Sequence, residues 1–516
     1  MTIDLTRGDE GSPTFVRIAR AITDDIRRGR LRAGDALPGT RTLATSLGVH
    51  RNTVLAAYRE LDAEGWIATE KARGTYVAVD VPDAEPRRFS TKAALAREIA
   101  ARPGYDVVDR PRGPGRAGDA GALALAVEAR LRSAPVARGR ATSSAAAWMT
   151  LGGGVPDVRL VPAGEIARAI RRVLRRSAVD VLSYGDPEGP AALRRAVAKM
   201  LAATRGVAAR EDHVLVTRGS QMGIDLVART LLAPGDVVAV EALGYRPAWE
   251  ALHASGARLV AVPVDAHGVD VAALERLSAE QPIRGVYVTP HHQFPTTVTL
   301  APARRLRLLE LARARRFWLL EDDYDHEFHY EGRPVLPLAS ADVHGVVVYV
   351  GTLSKVLAPG MRVGFVVAPV PVVARLAATR RLVDRQGDHL LATAIAELLE
   401  DGEIQRHVRR ARRVYAERRA RLAALLASEL GDVLSFALPS GGTAIWARVA
   451  SDVPVDLWAA RALEEAGLVL QPARGFAFDG KSRPFLRVGF AQHDEREAKE
   501  AIRRMARALP RRSERT

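Results

Sequence analysis

The stretch Val346-Val347-Val348-Tyr349-Val350-Gly351-Thr352-Leu353-Ser354-Lys355 constrains this chain more than any other. Its β-branched and aromatic run reads as a buried strand, closed by a glycine. In open α/β sheets ligands collect outside the carboxyl ends of such strands, and that is where this run delivers Lys355. The choice of lysine is informative. The chain holds 76 Lys and Arg residues, yet only Lys71, Lys92, Lys199, Lys355, Lys481 and Lys499 are lysine. Arginine serves wherever plain positive charge is enough. It stays protonated and forms no Schiff base, whereas a desolvated lysine can do so. Lys355 is therefore expected to do chemistry, the alternative being a solvated lysine in a strand-end loop.

Bulk properties set the frame. A chain of 516 residues accommodates two to four domains at roughly 100–200 residues each. Its 47% hydrophobic and 26% charged residues suit a globular protein. Cysteine is absent, which excludes disulfides and thiolate metal sites and fits the expected cytoplasmic location. The N-terminus has no apolar signal region, and no apolar run is long enough to cross a bilayer. A net charge of +16 fits a polyanionic partner, though Arg-rich genome composition would give the same balance.

Residues 14–28 carry Phe15, Ile18, Ala19, Ile22 and Ile26 at helical spacing. A short helix over 41–47 follows, then a Gly48-Val49 turn and a second helix over 51–64 with Val54, Ala57, Tyr58 and Leu61 inward. Residues 66–69 and 75–78 read as a hairpin around Ala72-Arg73-Gly74. Helix, helix, turn, helix and hairpin make a winged helix-turn-helix, whose recognition helix enters the DNA major groove by its N-terminal residues. This DNA-binding domain is expected over 1–79. Residues 80–147 are dense in Ala, Arg, Pro and Gly and read as a linker.

From 148 to 516 apolar strand-like runs alternate with helices, as in an α/β domain with a wound, largely parallel sheet. The large part is expected over about 180–370, and a smaller α+β part over about 371–516. Chemistry-bearing groups gather around Lys355. Asp322 and Tyr324 leave one strand at its carboxyl end, suited to hold a protonated pyridine nitrogen and a phenolic oxygen. Gly219-Ser220-Gln221 opens a helix after another strand, an N-terminus that favours phosphate. Arg362 with the hydroxyls of Thr352 and Ser354 would complete a phosphate cup, and Tyr245 can stack on a ring. A Schiff-base lysine, a pyridinium partner, a phenol partner, a stacking ring and a phosphate cup together describe pyridoxal phosphate.

Two metal readings compete. The run Asp322, Asp323, Asp325, His326, Glu327 could take a divalent ion. His291-His292 suggests zinc, but adjacent histidines lack a ligand spacing and no further ligand is evident. One of them lining a cofactor pocket is the expectation, with no metal.

Two resemblances carry the reading further. The pattern from Leu37-Pro38 through Arg51-Asn52-Thr53-Val54 to Gly65-Trp66 resembles the GntR-type DNA-binding domain. That resemblance implies that Arg41, Arg51, Asn52 and Thr53 face DNA and that Arg73-Gly74 approach the minor groove. His50 stands where Ser or Thr would usually cap the helix. The second resemblance, to fold-type I aminotransferases, rests on four motifs. They are Ser183-Tyr184-Gly185-Asp186-Pro187-Glu188-Gly189, Thr289-Pro290-His291-His292-Gln293-Phe294-Pro295-Thr296, Glu321-Asp322-Asp323-Tyr324-Asp325 and Gly351-Thr352-Leu353-Ser354-Lys355 with Pro359-Gly360-Met361-Arg362. Together the two halves resemble the MocR/GabR-type subfamily of GntR transcriptional regulators. This implies that Lys355 bonds the cofactor, that Asp322 pairs its ring nitrogen and Tyr324 its hydroxyl, and that Tyr245 stacks. It also implies that Tyr184 reaches the phosphate of a neighbouring subunit in a homodimer, and that Arg487 grips an effector carboxylate. The expected function is regulation of transcription through sensing of an amino acid, an amine or the cofactor itself. The alternative is an active aminotransferase with an appended DNA-binding domain. Thr297 replaces a Gly of the family pattern, His291 a Ser, and Phe294 an Asn.

Overall fold

The computed structural model describes residues 14–27, 30–70, 74–78, 99–107, 148–332 and 334–511. Most of the linker expected over 80–147, and Arg73, lie outside the described residues. The chain divides into two compact units. One holds residues up to Pro86 together with Gly402–Glu417; the other holds Arg87–Asp401 and Arg418–Thr516.

In the first unit, helices α1 (Thr14–Arg27), α2 (Thr40–Leu47) and α3 (Arg51–Glu64) precede an antiparallel hairpin of β1 (Ile67–Glu70) and β2 (Gly74–Val77). Ile18, Ile22, Leu43, Val54, Ala57, Leu61 and Trp66 form its core, the apolar positions that helical spacing points inward. Gly48 ends α2 in the left-handed region, φ 63°, returning its N–H to Ala44 and Thr45 carbonyls. The next helix begins without a capping hydroxyl. The His50 ring does that work instead: its Nδ1 accepts from the Asn52 N–H at 3.2 Å. The departure at His50 therefore leaves α3 capped.

The second unit is built on a seven-stranded sheet. Its strands are β3 (Val214–Thr217), β4 (Val237–Glu241), β5 (Arg258–Val262), β6 (Gly285–Val288), β7 (Trp318–Asp323), β8 (Val347–Thr352) and β9 (Gly364–Val367). The spatial order is β3-β9-β8-β7-β6-β4-β5. All pairings are parallel except those made by β9, which runs against both of its neighbours. Strands buried on both faces read as continuous Val, Leu and Ile runs without alternation, as in Val346-Val347-Val348. The short stretch 99–107 belongs with this core, since Tyr105 is buried within it. A second, four-stranded antiparallel sheet in the C-terminal part includes β10 (Ala444–Val449) and β11 (Phe485–Gly489), which carries Arg487.

Register places the chemistry. Asp322 pairs with Val350 and Asp323 with Gly351, so β7 and β8 end together and Lys355 leaves beside Asp322. The helix α4 (Gly219–Leu231) starts just beyond β3, and Gly364 of β9 presses on its first residue. A Cβ at Gly364 would meet the Gly219 backbone at 2.7 and 2.9 Å and the Gly351 oxygen at 3.0 Å. Backbone cannot rotate away, so Gly364→Ala must push β9 from the start of α4. Such overpacking costs about 1–3 kcal/mol. Urea unfolding should show that loss; a variant as stable as the parent would reject the close-approach argument.

Candidate cofactor and effector site

Asp322 is 4% exposed at the end of β7. Tyr287 of the adjacent strand donates to its Oδ2 at 2.8 Å, while its Oδ1 has no hydrogen-bond partner. Burial pushes the carboxyl up to about 7; the Tyr287 bond and Lys355 oppose this, and Asp323 adds to it. The free oxygen is thus poised to receive a charged donor. Burial also draws the Lys355 ammonium below its ordinary range, aided by Arg487 and opposed by Asp325 and Asp322. Its neutral amine, the nucleophilic form, becomes more accessible.

The phosphate-type corner forms around Gly219, which has φ 75° and lies against Arg362. A Cβ there would sit 3.1 Å from the guanidinium carbon, so a side chain would crowd the space the two share. Arg362 is itself left-handed, φ 51°, and its Nη2 donates to the Arg218 carbonyl at 3.0 Å. The Ser354 hydroxyl is buried without a partner. The Thr352 hydroxyl, by contrast, accepts from the Ser354 N–H at 3.1 Å and donates to the Val363 carbonyl at 3.3 Å. Thr352 therefore shapes the turn, and Ser354 offers the free hydroxyl. Ser220 is half-buried in the first turn of α4, and Gln221 Nε2 donates to the Pro247 carbonyl at 2.9 Å, fixing the opposite wall.

Aromatic rings line the other side. Phe294 meets Tyr245 edge-on at 5.6 Å, Tyr324 at 6.0 Å and Phe476 at 5.3 Å. Burial raises the Tyr245 phenol to about 12. Tyr324 donates to the His292 carbonyl at 3.0 Å. Arg487 lies over the Phe294 ring, its guanidinium carbon 4.6 Å from the centroid. It is 1% exposed, and none of its three nitrogens finds an acceptor. Burial depresses its pKa, with Tyr324 and Asp325 opposing. A buried cation without an anion is costly, and the arrangement suits a ligand carboxylate. Gly153 gives the guanidinium room, since a Cβ there would fall 2.0 Å from Nη1.

The other expected residues lie elsewhere. Tyr184 is 79% exposed, with the Arg385 guanidinium 4.3 Å above its ring, and it does not join the Lys355 cluster within one protomer. Arg41, Arg51, Asn52 and Gly74 are exposed and Thr53 is half-buried on the first unit. Tyr287 was not legible as a site residue: Val286-Tyr287-Val288 reads only as a buried strand, and no local signal ties it to a carboxylate 35 positions on.

A lysine at a strand end, a buried carboxylate and a helix start on this sheet define a fold-type I, aminotransferase-like domain, here joined to a winged helix-turn-helix. The profile of aminotransferase class I and II matches residues 146–505, and that of bacterial regulatory proteins of the gntR family matches 14–77. The chain is 32% identical to the "Probable rhizopine catabolism regulatory protein MocR" of Rhizobium meliloti, over 96% of this chain and 93% of that one. It is also 32% identical to the HTH-type transcriptional regulator TauR of Rhodobacter capsulatus, over 98% of both. Among solved structures, LysN, an alpha-aminoadipate aminotransferase from Thermus thermophilus complexed with N-(5'-phosphopyridoxyl)-L-leucine, is 31% identical with a TM-score of 0.65. That match covers 70% of this chain and 92% of LysN. The chain belongs to the MocR-type GntR regulators, which join a GntR helix-turn-helix to an aminotransferase class I and II domain.

The raised Asp322 carboxyl gives a testable sign. A buried acid titrating near 7, against about 3.9 when unfolded, makes the cofactor-free protein lose stability as pH rises through that window. Asp322→Asn keeps an oxygen for Tyr287 and removes the charge. Its urea-unfolding free energy should therefore exceed the parent's above pH 7, on the order of 1–3 kcal/mol, and converge with it near pH 4. Parallel pH profiles would show that Asp322 is not the titrating group.

Proposed function

We propose that this protein is a pyridoxal-phosphate-dependent transcriptional regulator, acting in the cytoplasm as a homodimer, which senses an amino compound. The single observation that carries the sensing role is Arg487, buried on Phe294 with no anion. The residues fit the cofactor. Asp322 Oδ1 and Ser354 Oγ are buried and unpartnered, and Gly219 leaves open the corner beside Arg362. When bound, pyridoxal phosphate supplies an aldehyde that carries amines and a ring that withdraws electrons. Lys355 would hold it covalently, Asp322 would pair the ring nitrogen, Tyr324 the ring hydroxyl, and Tyr245 would stack. Gly219, Ser220, Gln221, Thr352, Ser354 and Arg362 would surround the phosphate, with Tyr184 contributed across the dimer. Arg487 would take the carboxylate of an amino-acid effector bidentately.

The DNA face uses Arg41, Arg51, Asn52, Thr53, Arg73 and Gly74 on an operator duplex. No helix among the described residues is long and apolar enough to cross a membrane. Full-length relatives described as transcriptional regulators favour this reading over a plain aminotransferase. Effector binding would regulate DNA affinity only if the effector distinguishes two states of the protein.

A second reading is active transamination, favoured by the joint presence of Lys355, Asp322, Tyr324 and Arg487. Purified protein titrated with a panel of amino acids and amines, followed by visible absorption and by operator binding, separates the two. A regulator gives a persistent spectral shift with one amine and a matching change in DNA affinity. Sustained keto-acid-dependent turnover with unchanged DNA affinity would reject it. Lys355→Ala should abolish the lysine-linked band. Arg487→Met should weaken a carboxylate-bearing effector about 10- to 100-fold while retaining that band. Equal affinity in Arg487→Met would remove Arg487 from recognition.

A further inference from the structure

Four histidines come together here: His291 and His292, one of which the sequence places in the cofactor pocket, His326, which belongs to the candidate metal run, and His329, which the sequence leaves unassigned. His291 and His292 follow β6, and His326 and His329 follow β7. The His291 ring lies 4.4 Å from those of both His292 and His326 between centroids, and His329 lies 6.2 Å from His291 and His292. His291, His292 and His326 are at most 5% exposed. Both ring nitrogens of His291, and Nε2 of His292 and of His326, have no hydrogen-bond partner. Buried polar atoms are seldom left this way, and each costs about 1–3 kcal/mol. Imidazoles packed only as apolar fillers would carry that cost without return.

The ring nitrogens of the cluster converge. One nitrogen from each of His291, His292 and His329 lies within 4.8 Å of the other two, and a second set joins His291, His326 and Asp323 at the same spacing. Around a tetrahedral ion with bonds of about 2.1 Å, ligand nitrogens stand about 3.4 Å apart, so modest ring movements would close either set. The two differ in what holds them. Asp323 already accepts from the Tyr349 hydroxyl at 2.6 Å and lies 3.5 Å from Arg205, a cation that would oppose a metal. In the first set, His292 Nδ1 meets Asp325 Oδ1 at 2.8 Å, which leaves Nε2 without a partner. A carboxylate behind an imidazole is the usual support of a ligating histidine.

We propose that His291, His292 and His329 bind a borderline divalent ion of the zinc class, with Asp325 as positioning residue. Nitrogen ligands with no thiolate suit Zn²⁺ or Co²⁺ and disfavour Ca²⁺ and Mg²⁺. The ion would tie the loop after β6 to the loop after β7, which also carries Tyr324 against the His292 carbonyl. The inference stands on the histidine geometry alone and does not require the regulatory reading.

The test uses untagged full-length protein, stripped with chelator and dialysed against micromolar Zn²⁺ or Co²⁺. Elemental analysis should find one ion per chain, and the Co²⁺ form should show the intense visible bands of low-coordinate cobalt. His291→Ser with His329→Gln should remove both signals, and Asp325→Asn should weaken retention about 10- to 100-fold. Parent protein holding no ion above the dialysis buffer, or cobalt bands of the hexahydrated type, would overturn the site. So would equal retention by the double variant. If the double variant does not fold, the cobalt spectrum and stoichiometry of the parent decide alone.

Discussion

Three consecutive carboxylates at the end of β7, Glu321, Asp322 and Asp323, are all buried, and the site depends on how each is held. Strand alternation sends the middle one to the opposite face from its neighbours. Glu321 accepts the Leu338 and Ala339 N–H groups at 2.7 and 2.9 Å, and burial still lifts it to about 8. Asp323 meets Tyr349, Arg205 and His326. Burial raises its pKa, but the His326 and Arg205 charges outweigh that and hold it well below the usual range. Asp322 has a single phenol on one oxygen and nothing on the other. The two outer acids are held by the protein; the middle one is left for a ligand.

That division explains why an arginine as buried as Arg205 belongs to the site without touching it. Its guanidinium lies near Asp323 and bonds Tyr349 and Glu327, so the β7 terminus is pinned from the side away from Lys355. Charge fixed there keeps Asp323 anionic and adds to the upward push on Asp322. The poise of the Asp322 carboxyl is then a property of the whole strand end. A strand-end loop free to move could not hold it.

Lys355, Asp322 and the helix start at Gly219 were legible because each is written in a short run: an apolar strand, a glycine or acid, and a polar group at its end. The winged domain was legible for the same reason, in helical spacing such as Ile18, Ile22 and Ile26. What escaped reading depends on residues far apart in sequence. Tyr287 reaches Asp322 and His329 joins His291 because the sheet aligns β6 with β7, while Arg205 reaches Asp323 from the end of the helix Ala191–Arg205. Spacing along one strand carries no record of that alignment. His50 escaped for another reason: an imidazole is rarely read as a cap, though Nδ1 can accept as a hydroxyl does.

Phe294 joins the cofactor side of the site to Arg487. The same ring touches Tyr245 and Tyr324 by its edges and carries the guanidinium on its face. A cation over a ring gains about 2 kcal/mol or more when desolvated, less than a bidentate carboxylate would give. Arg487 is therefore held in place without an anion but is not satisfied. On the proposed reading, recognition would draw on that difference, since the stacked guanidinium is already dehydrated and oriented before a ligand arrives. An Asn at position 294 would offer Arg487 a polar contact in place of a π face. If the site holds the proposed cofactor and effector, Phe at this position would shift its energetic weight toward the ligand's carboxylate, the balance expected of a site that selects amino compounds by binding them.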